Sequence, residues 1–110
     1  EAELIVECFL SPSDIGLIEK NDVVKFQIDA FPHHQWGTVN GRVLEINRDV
    51  SVIDKIPAFR VTCSLNKTVL FLNEKTLGKL RKGMTLSARF WIAKRSLLQL
   101  LSDKIADWYN

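Results

Sequence analysis

A chain of 110 residues, 46% hydrophobic and 25% charged, is sized and balanced for one folded domain around a single core. Its net charge of +2 is too small to select a polyanionic partner by itself. The chain also lacks the stretch of about eighteen apolar residues that a membrane-spanning helix requires. It begins at Glu1 with no leader pattern, so it reads as an excised piece whose flanks would hold any membrane anchor.

Leu4 to Leu10 reads as a first strand. Ser11-Pro12-Ser13-Asp14 then supplies an N-cap residue and a proline at the first helical position, predicting one short helical turn near residues 12–18. Asn21 stands at the turn before the next strand, and asparagine tolerates positive φ better than other non-glycine residues. Val24, Phe26, Ile28 and Ala30 alternate with Lys25, Gln27 and Asp29, the period of a half-buried strand. Pro32 cannot donate to a ladder and closes that strand.

His33, His34, Gln35 and Trp36 follow as an exposed turn and are candidate partner contacts. Two adjacent imidazoles in an extended loop point apart, and no further ligands stand at metal spacing, so no metal site is predicted. Gly37 and Gly41 frame a run from Val39 to Ile46. Strands over Ala58–Leu65 and Thr68–Leu72 come next, while residues 48–57 fit either an irregular crossover or a bent edge strand.

Gly78 to Gly83 leads into Met84–Ile92 as Gly16 to Asn21 leads into Val23–Ala30. Gly16 matches Gly78, Ile18 matches Leu80, Lys20 matches Lys82, Val24 matches Leu86 and Ile28 matches Phe90. Two such units suggest a pseudo-symmetric barrel. At the end of the chain the period changes. Ser96 and Gln99 form a capping box, and Leu98, Leu101, Ile105 and Trp108 fall on one helical face. A C-terminal helix over about 96–108 is therefore expected, its apolar face against the barrel or a partner.

The predicted architecture is all-β: a small antiparallel barrel over residues 1–93, with a short helical turn after the first strand, and the helix within 94–110. Its core is predicted at Val6, Cys8, Val24, Phe26, Ile28, Val43, Val61, Leu86, Ala88 and Phe90. Gly16, Asn21, Pro32, Gly37, Gly41 and Gly83 are the shaping residues. Cys8 and Cys63 share the register of apolar neighbours and read as buried thiols, with a disulfide open if their strands are adjacent in an oxidising compartment.

No P-loop, dinucleotide fingerprint, nucleophile elbow or paired catalytic carboxylates occur, so neither an enzyme nor a cofactor is predicted. The alternative is a small barrel binding single-stranded nucleic acid, because basic residues gather in the last third near Phe71, Phe90 and Trp91. Phe90 and Trp91 are consecutive and must face opposite sides of a strand, which opposes a stacking row.

The ordered series Asp14-Ile15-Gly16, Val23 with Phe26, Asp29-Ala30-Phe31-Pro32, Trp36-Gly37 and Gly41 with Val43 resembles the β-barrel domain of HlyD-type membrane fusion proteins. Phe59-Arg60-Val61-Thr62-Cys63, Leu80 to Leu86 and Lys94-Arg95-Ser96-Leu97 extend the resemblance over almost the whole chain. The departure is Asn21, where the family commonly has glycine. The resemblance implies a periplasmic adaptor anchored to the inner membrane, linking an exporter of ABC type to an outer-membrane channel for secretion or efflux. Its partners would be the exporter and neighbouring adaptor protomers, with no nucleic acid and no cofactor.

Overall fold

Alternation becomes strand pairing in the computed structural model, which describes residues 4–53, 55–92, 95–98 and 103–107. In chain order these form β1 (Leu4–Leu10), α1 (Pro12–Ile15), β2 (Val23–Ile28), α2 (His33–Trp36), β3 (Val39–Ile53) and β4 (Ile56–Cys63). They continue with β5 (Val69–Phe71), β6 (Leu77–Lys79), β7 (Thr85–Ile92), β8 (Arg95–Leu98) and β9 (Asp103–Asp107). Every pairing is antiparallel. One sheet runs β2-β3-β4-β1-β9-β7-β8, with a further β2–β7 pairing, and β5-β6 is a separate two-stranded hairpin.

The β2–β7 contact brings the order back to its first strand, so the sheet is strongly curved around its inner face. Among the described residues the β7–β9 pairing joins Thr85 with Lys104 and Leu86 with Asp103. The sheet is not closed into a barrel. That corrects the expectation of a closed cylinder and leaves the antiparallel all-β class intact.

All ten predicted core residues are buried, and they join Leu10, Ile18, Val39, Cys63, Leu70 and Leu80 in one cluster. Phe26 and Phe90 are fully buried, each worth about 1.5–3 kcal/mol relative to exposure. Of the two readings of residues 48–57 the bent edge strand is the nearer: β3 runs on to Ile53, pairs there with β4 alone among the described residues, and β4 begins at Ile56. Register shifts between Val43 and Glu45 and between Ile46 and Val50 bend this long arm, as bulges do.

The described residues of the C-terminal segment are strands and not the expected helix. Arg95–Leu98 hairpins back onto β7, and Asp103–Asp107 inserts between β1 and β7. Leu98 stands opposite Arg89 and Ile105 opposite Val6, on two different strands, so they share no helical face. Leu101 and Trp108 lie outside the described residues. The physical reason is unmet pairing: without β9 the edges of β1 and β7 would keep unpaired backbone groups. Local helical periodicity is weak against that demand, since a short helix has little stability of its own.

Internal symmetry explains why a strand is needed there. The sequence repeat relates residues 62 apart, as Gly16 is to Gly78. In the β2–β7 ladder Val24 faces Phe90, Phe26 faces Ala88 and Ile28 faces Leu86, so exchanging each residue for its equivalent leaves the Phe26–Ala88 pair in place. The same shift carries Val23–Arg42 and Val24–Gly41 onto Thr85–Lys104 and Leu86–Asp103. β9 is thus the counterpart of β3. Val43 facing Cys63 likewise answers Ile105 facing Val6, which makes β1 the counterpart of β4. A pseudo-twofold axis relates β2-β3-β4 to β7-β9-β1.

The turns entering β2 and β7 obey it too. Asp22 N–H donates to Glu19 O at 3.1 Å, and Met84 N–H donates to Arg81 O at 3.2 Å. Asn21 and Gly83 hold the third position at φ 76° and 93°, the geometry of type II turns. Glu19 N–H donates to Asp22 Oδ2 and Arg81 N–H to Met84 Sδ, the same bond made with different chemistry.

Candidate functional site

α2 and the β5–β6 hairpin are linked through one side chain and carry the exposed residues on which function can be weighed. Phe31 joins them. Its ring meets Trp36 at 4.9 Å between centroids and also lies over Gly78 on β6, where a Cβ would strike the ring. Phe31 and Trp36 are partly buried against the core, whereas His33, His34 and Gln35 are exposed.

The segment is a turn of helix rather than an extended loop. Pro32 O accepts from the N–H groups of Gln35 at 3.0 Å and Trp36 at 2.9 Å, and Gly37 N–H donates to His33 O at 2.8 Å. Gly37 ends it at φ 85°, a conformation that favours glycine. The two imidazoles meet edge to face at 5.9 Å. Among the described residues no group of three His, Cys, Asp or Glu side chains is arranged to hold a metal ion. Asp29, just before this segment, accepts from Thr85 Oγ1 at 2.6 Å and so pins the α2 connection to the start of β7.

The shaping residues divide. Gly41 is required by space, because any Cβ would fall on the carbonyl oxygen of Ser64 and against the Phe26 ring. Ser64 N–H donates to Arg42 O at 2.8 Å and Ser64 Oγ accepts from Arg42 N–H at 3.0 Å, which locks this close crossing. Gly83 and Asn21 are required by backbone angle. Gly16 is required by neither: it caps α1 at φ −66° and has open space where a Cβ would sit. Pro32 begins α2, and β2 has already ended at Ile28.

Cys8 and Cys63 are buried thiols rather than a disulfide. Their strands are adjacent, but Cys8 faces Val61 and Cys63 faces Val6, an offset of two residues. Diagonal neighbours on a sheet stand roughly 7–8 Å apart, beyond ordinary disulfide reach.

The aromatic residues form no stacking row. Phe26 and Phe90 are in the core, while Trp91 and Phe71 are exposed on different sheets. The surface that sequence patterning overlooked is the outer face of the β5–β6 hairpin. Phe71 and Leu77 are a directly opposed pair, 59% and 51% exposed. β6 itself was hidden in the run read as a turn, and the signal for it was Leu-Gly-Lys matching Val-Leu-Phe across a loop of turn residues.

A family model described as the AprE-like, beta-barrel domain matches residues 4–92, all of the chain from β1 through β7. The chain belongs to the AprE-like β-barrel domain family. The resemblance to HlyD-type membrane fusion barrels is borne out with it. The chain is 28% identical over 108 residues to the leukotoxin export protein LtxD of Aggregatibacter actinomycetemcomitans, covering 97% of this chain and 22% of that protein. It is 27% identical over 106 residues to the protein CyaD of Bordetella pertussis, covering 96% and 24%. Leukotoxin secretion protein D of a Pasteurella haemolytica-like species is 27% identical over 95 residues, covering 86% and 20%. The AprE-like domain therefore spans about a quarter or less of these relatives. No solved structure matches it significantly.

Proposed function

We propose that this domain is the barrel of a periplasmic adaptor, a scaffold that links an inner-membrane exporter of ABC type to an outer-membrane channel. The carrying observation is that the family match covers β1 through β7 and that the relatives are named for toxin export and secretion. A single apolar core, turns set by positive φ and a close strand crossing at Gly41 suit a part whose task is to hold shape. The domain works without catalysis or cofactor, and its place is the periplasm, with the anchor elsewhere in the adaptor.

Docking to the exporter or to a neighbouring adaptor falls to α2, where His33, His34 and Gln35 are exposed on a turn held by Phe31 and Trp36. The test is a photoreactive residue at position 34 within the adaptor, in cells that export the cargo. Crosslinking to the exporter or to a second adaptor copy is expected, together with reduced export when positions 33–35 become glutamate. Normal export after the whole domain is exchanged for an unrelated barrel of equal size defeats the proposal.

A further inference from the structure

The β5–β6 hairpin carries more than a scaffold needs. Its inner face is anchored: Leu70 is buried, Gly78 opposite it lies beneath Phe31, and Leu80 N–H donates to Thr68 O at 2.9 Å. Its tip is also fixed, because Leu72 N–H donates to Thr76 O and Asn73 Oδ1 accepts from the N–H groups of Lys75 and Thr76. The outer face cannot turn inward. Phe71, Leu77 and the adjoining Leu72 remain 59%, 51% and 41% exposed, an apolar cluster on a rigid projection.

Charge gathers around that cluster with one sign. Lys67, Lys75, Lys79, Arg81 and Lys82 are exposed in and beside the hairpin, against Glu74 as the acidic residue between positions 65 and 84. Lys79 lies two residues from Leu77 on the same face, and Lys75 stands on the tip. Protein–protein interfaces are depleted in lysine and favour arginine and aromatic anchors. Lysine instead suits an anionic lipid surface, where its long stem lies along apolar ground while the ammonium reaches headgroup phosphates.

We infer that the β5–β6 hairpin is a membrane-surface contact, inserting Phe71, Leu72 and Leu77 at the headgroup boundary of an anionic bilayer while the surrounding lysines engage lipid phosphate. The two components are complementary: a few apolar side chains give little affinity alone, and a few charges are screened by salt, so both are needed.

The test is co-sedimentation of the purified chain with vesicles of phosphatidylglycerol or of phosphatidylcholine. Three variants accompany it: Phe71→Ser/Leu77→Ser, Lys75→Gln/Lys79→Gln, and Val50→Ser/Val52→Ser as an exposed apolar control elsewhere. Binding to phosphatidylglycerol and not to phosphatidylcholine is expected, falling with salt. Each lysine removed should weaken it about fivefold. The Phe71/Leu77 variant should weaken it at least about tenfold, and the Val50/Val52 variant should leave it unchanged. Thermal midpoints establish that each variant is folded, and the lysine variant alters no apolar group, so it stands if the Phe71/Leu77 variant does not fold. Equal binding to both lipids, or unchanged binding by the Phe71/Leu77 and the lysine variants, overturns the inference. Absence of vesicle binding with self-association that Phe71→Ser/Leu77→Ser abolishes also overturns it and assigns the face to a second copy. None of these outcomes depends on whether the domain serves an exporter.

Discussion

Two glycines show how one residue type can carry opposite weight. At Gly41 the backbone of β3 crosses Ser64 so closely that a methyl group has no room, and the opposing carbonyl belongs to a residue whose N–H and Oγ are both bonded to the Arg42 backbone. At Gly16 the backbone is right-handed helical and the adjacent space is open. Gly41→Ala is expected to lower unfolding free energy by roughly 2–4 kcal/mol, the cost of overpacking against immovable backbone. Gly16→Ala should raise it by about 0.4–1 kcal/mol, by reducing the entropy of the unfolded chain. Urea denaturation of both variants checks the contrast, and equal effects would discredit the crossing. From composition the two glycines are indistinguishable. What separates them is a contact between residues distant in sequence.

At the level of elements the C-terminal segment is decisive. Ser96 and Gln99 satisfy a helix-capping pattern, and Leu98, Leu101, Ile105 and Trp108 satisfy helical spacing. The segment's described residues, 95–98 and 103–107, are nonetheless strand, because β1 and β7 offer ready ladders. Lys104 is the test position: it faces Glu7 on one side and Thr85 on the other, so its N–H points into a ladder whichever way it is directed. Lys104→Pro is expected to cost about 3 kcal/mol or more through the lost bond and ring clash, and to shift the thermal midpoint of the whole domain down. A thermal midpoint unchanged by this proline would show β9 to be dispensable. The β5–β6 hairpin makes the complementary point. Its inner residues were visible as apolar, but the exposure of Phe71 beside a fully buried Leu70 follows from which face the core accepts.

For the whole molecule the pseudo-twofold has a consequence for connectivity. The second half of the sheet, β7-β9-β1, takes its last strand from the beginning of the chain, and Leu4 stands opposite Asp107. A permutant that starts at Leu17 and joins the end of the chain to Glu1 through a short linker would make both halves contiguous. It is expected to unfold cooperatively with an unchanged β-rich circular dichroism spectrum, as closely spaced ends permit. A broad, non-cooperative transition would show that chain order, not the paired halves, governs the domain. The same symmetry accounts for a single core shared by both halves.

Period-two alternation was enough to identify β1, β2, the first half of β3, β4 and β7 and every predicted core residue, since alternation reports which side of a pleat faces away from water. Turn chemistry was equally local: positive φ at Asn21 and Gly83 follows from residue type and position. The repeat between the β2 and β7 units could also be read along the chain. Its continuation from Arg42-Val43 to Lys104-Ile105 could not, because it is masked by a helical period. Strand identity for β8 and β9, the thiols set two residues out of line and the apolar face of the hairpin all depend on partners far away in sequence. Hydrogen-bond pairing and core shape selected them, and neither is a property of a short stretch of residues.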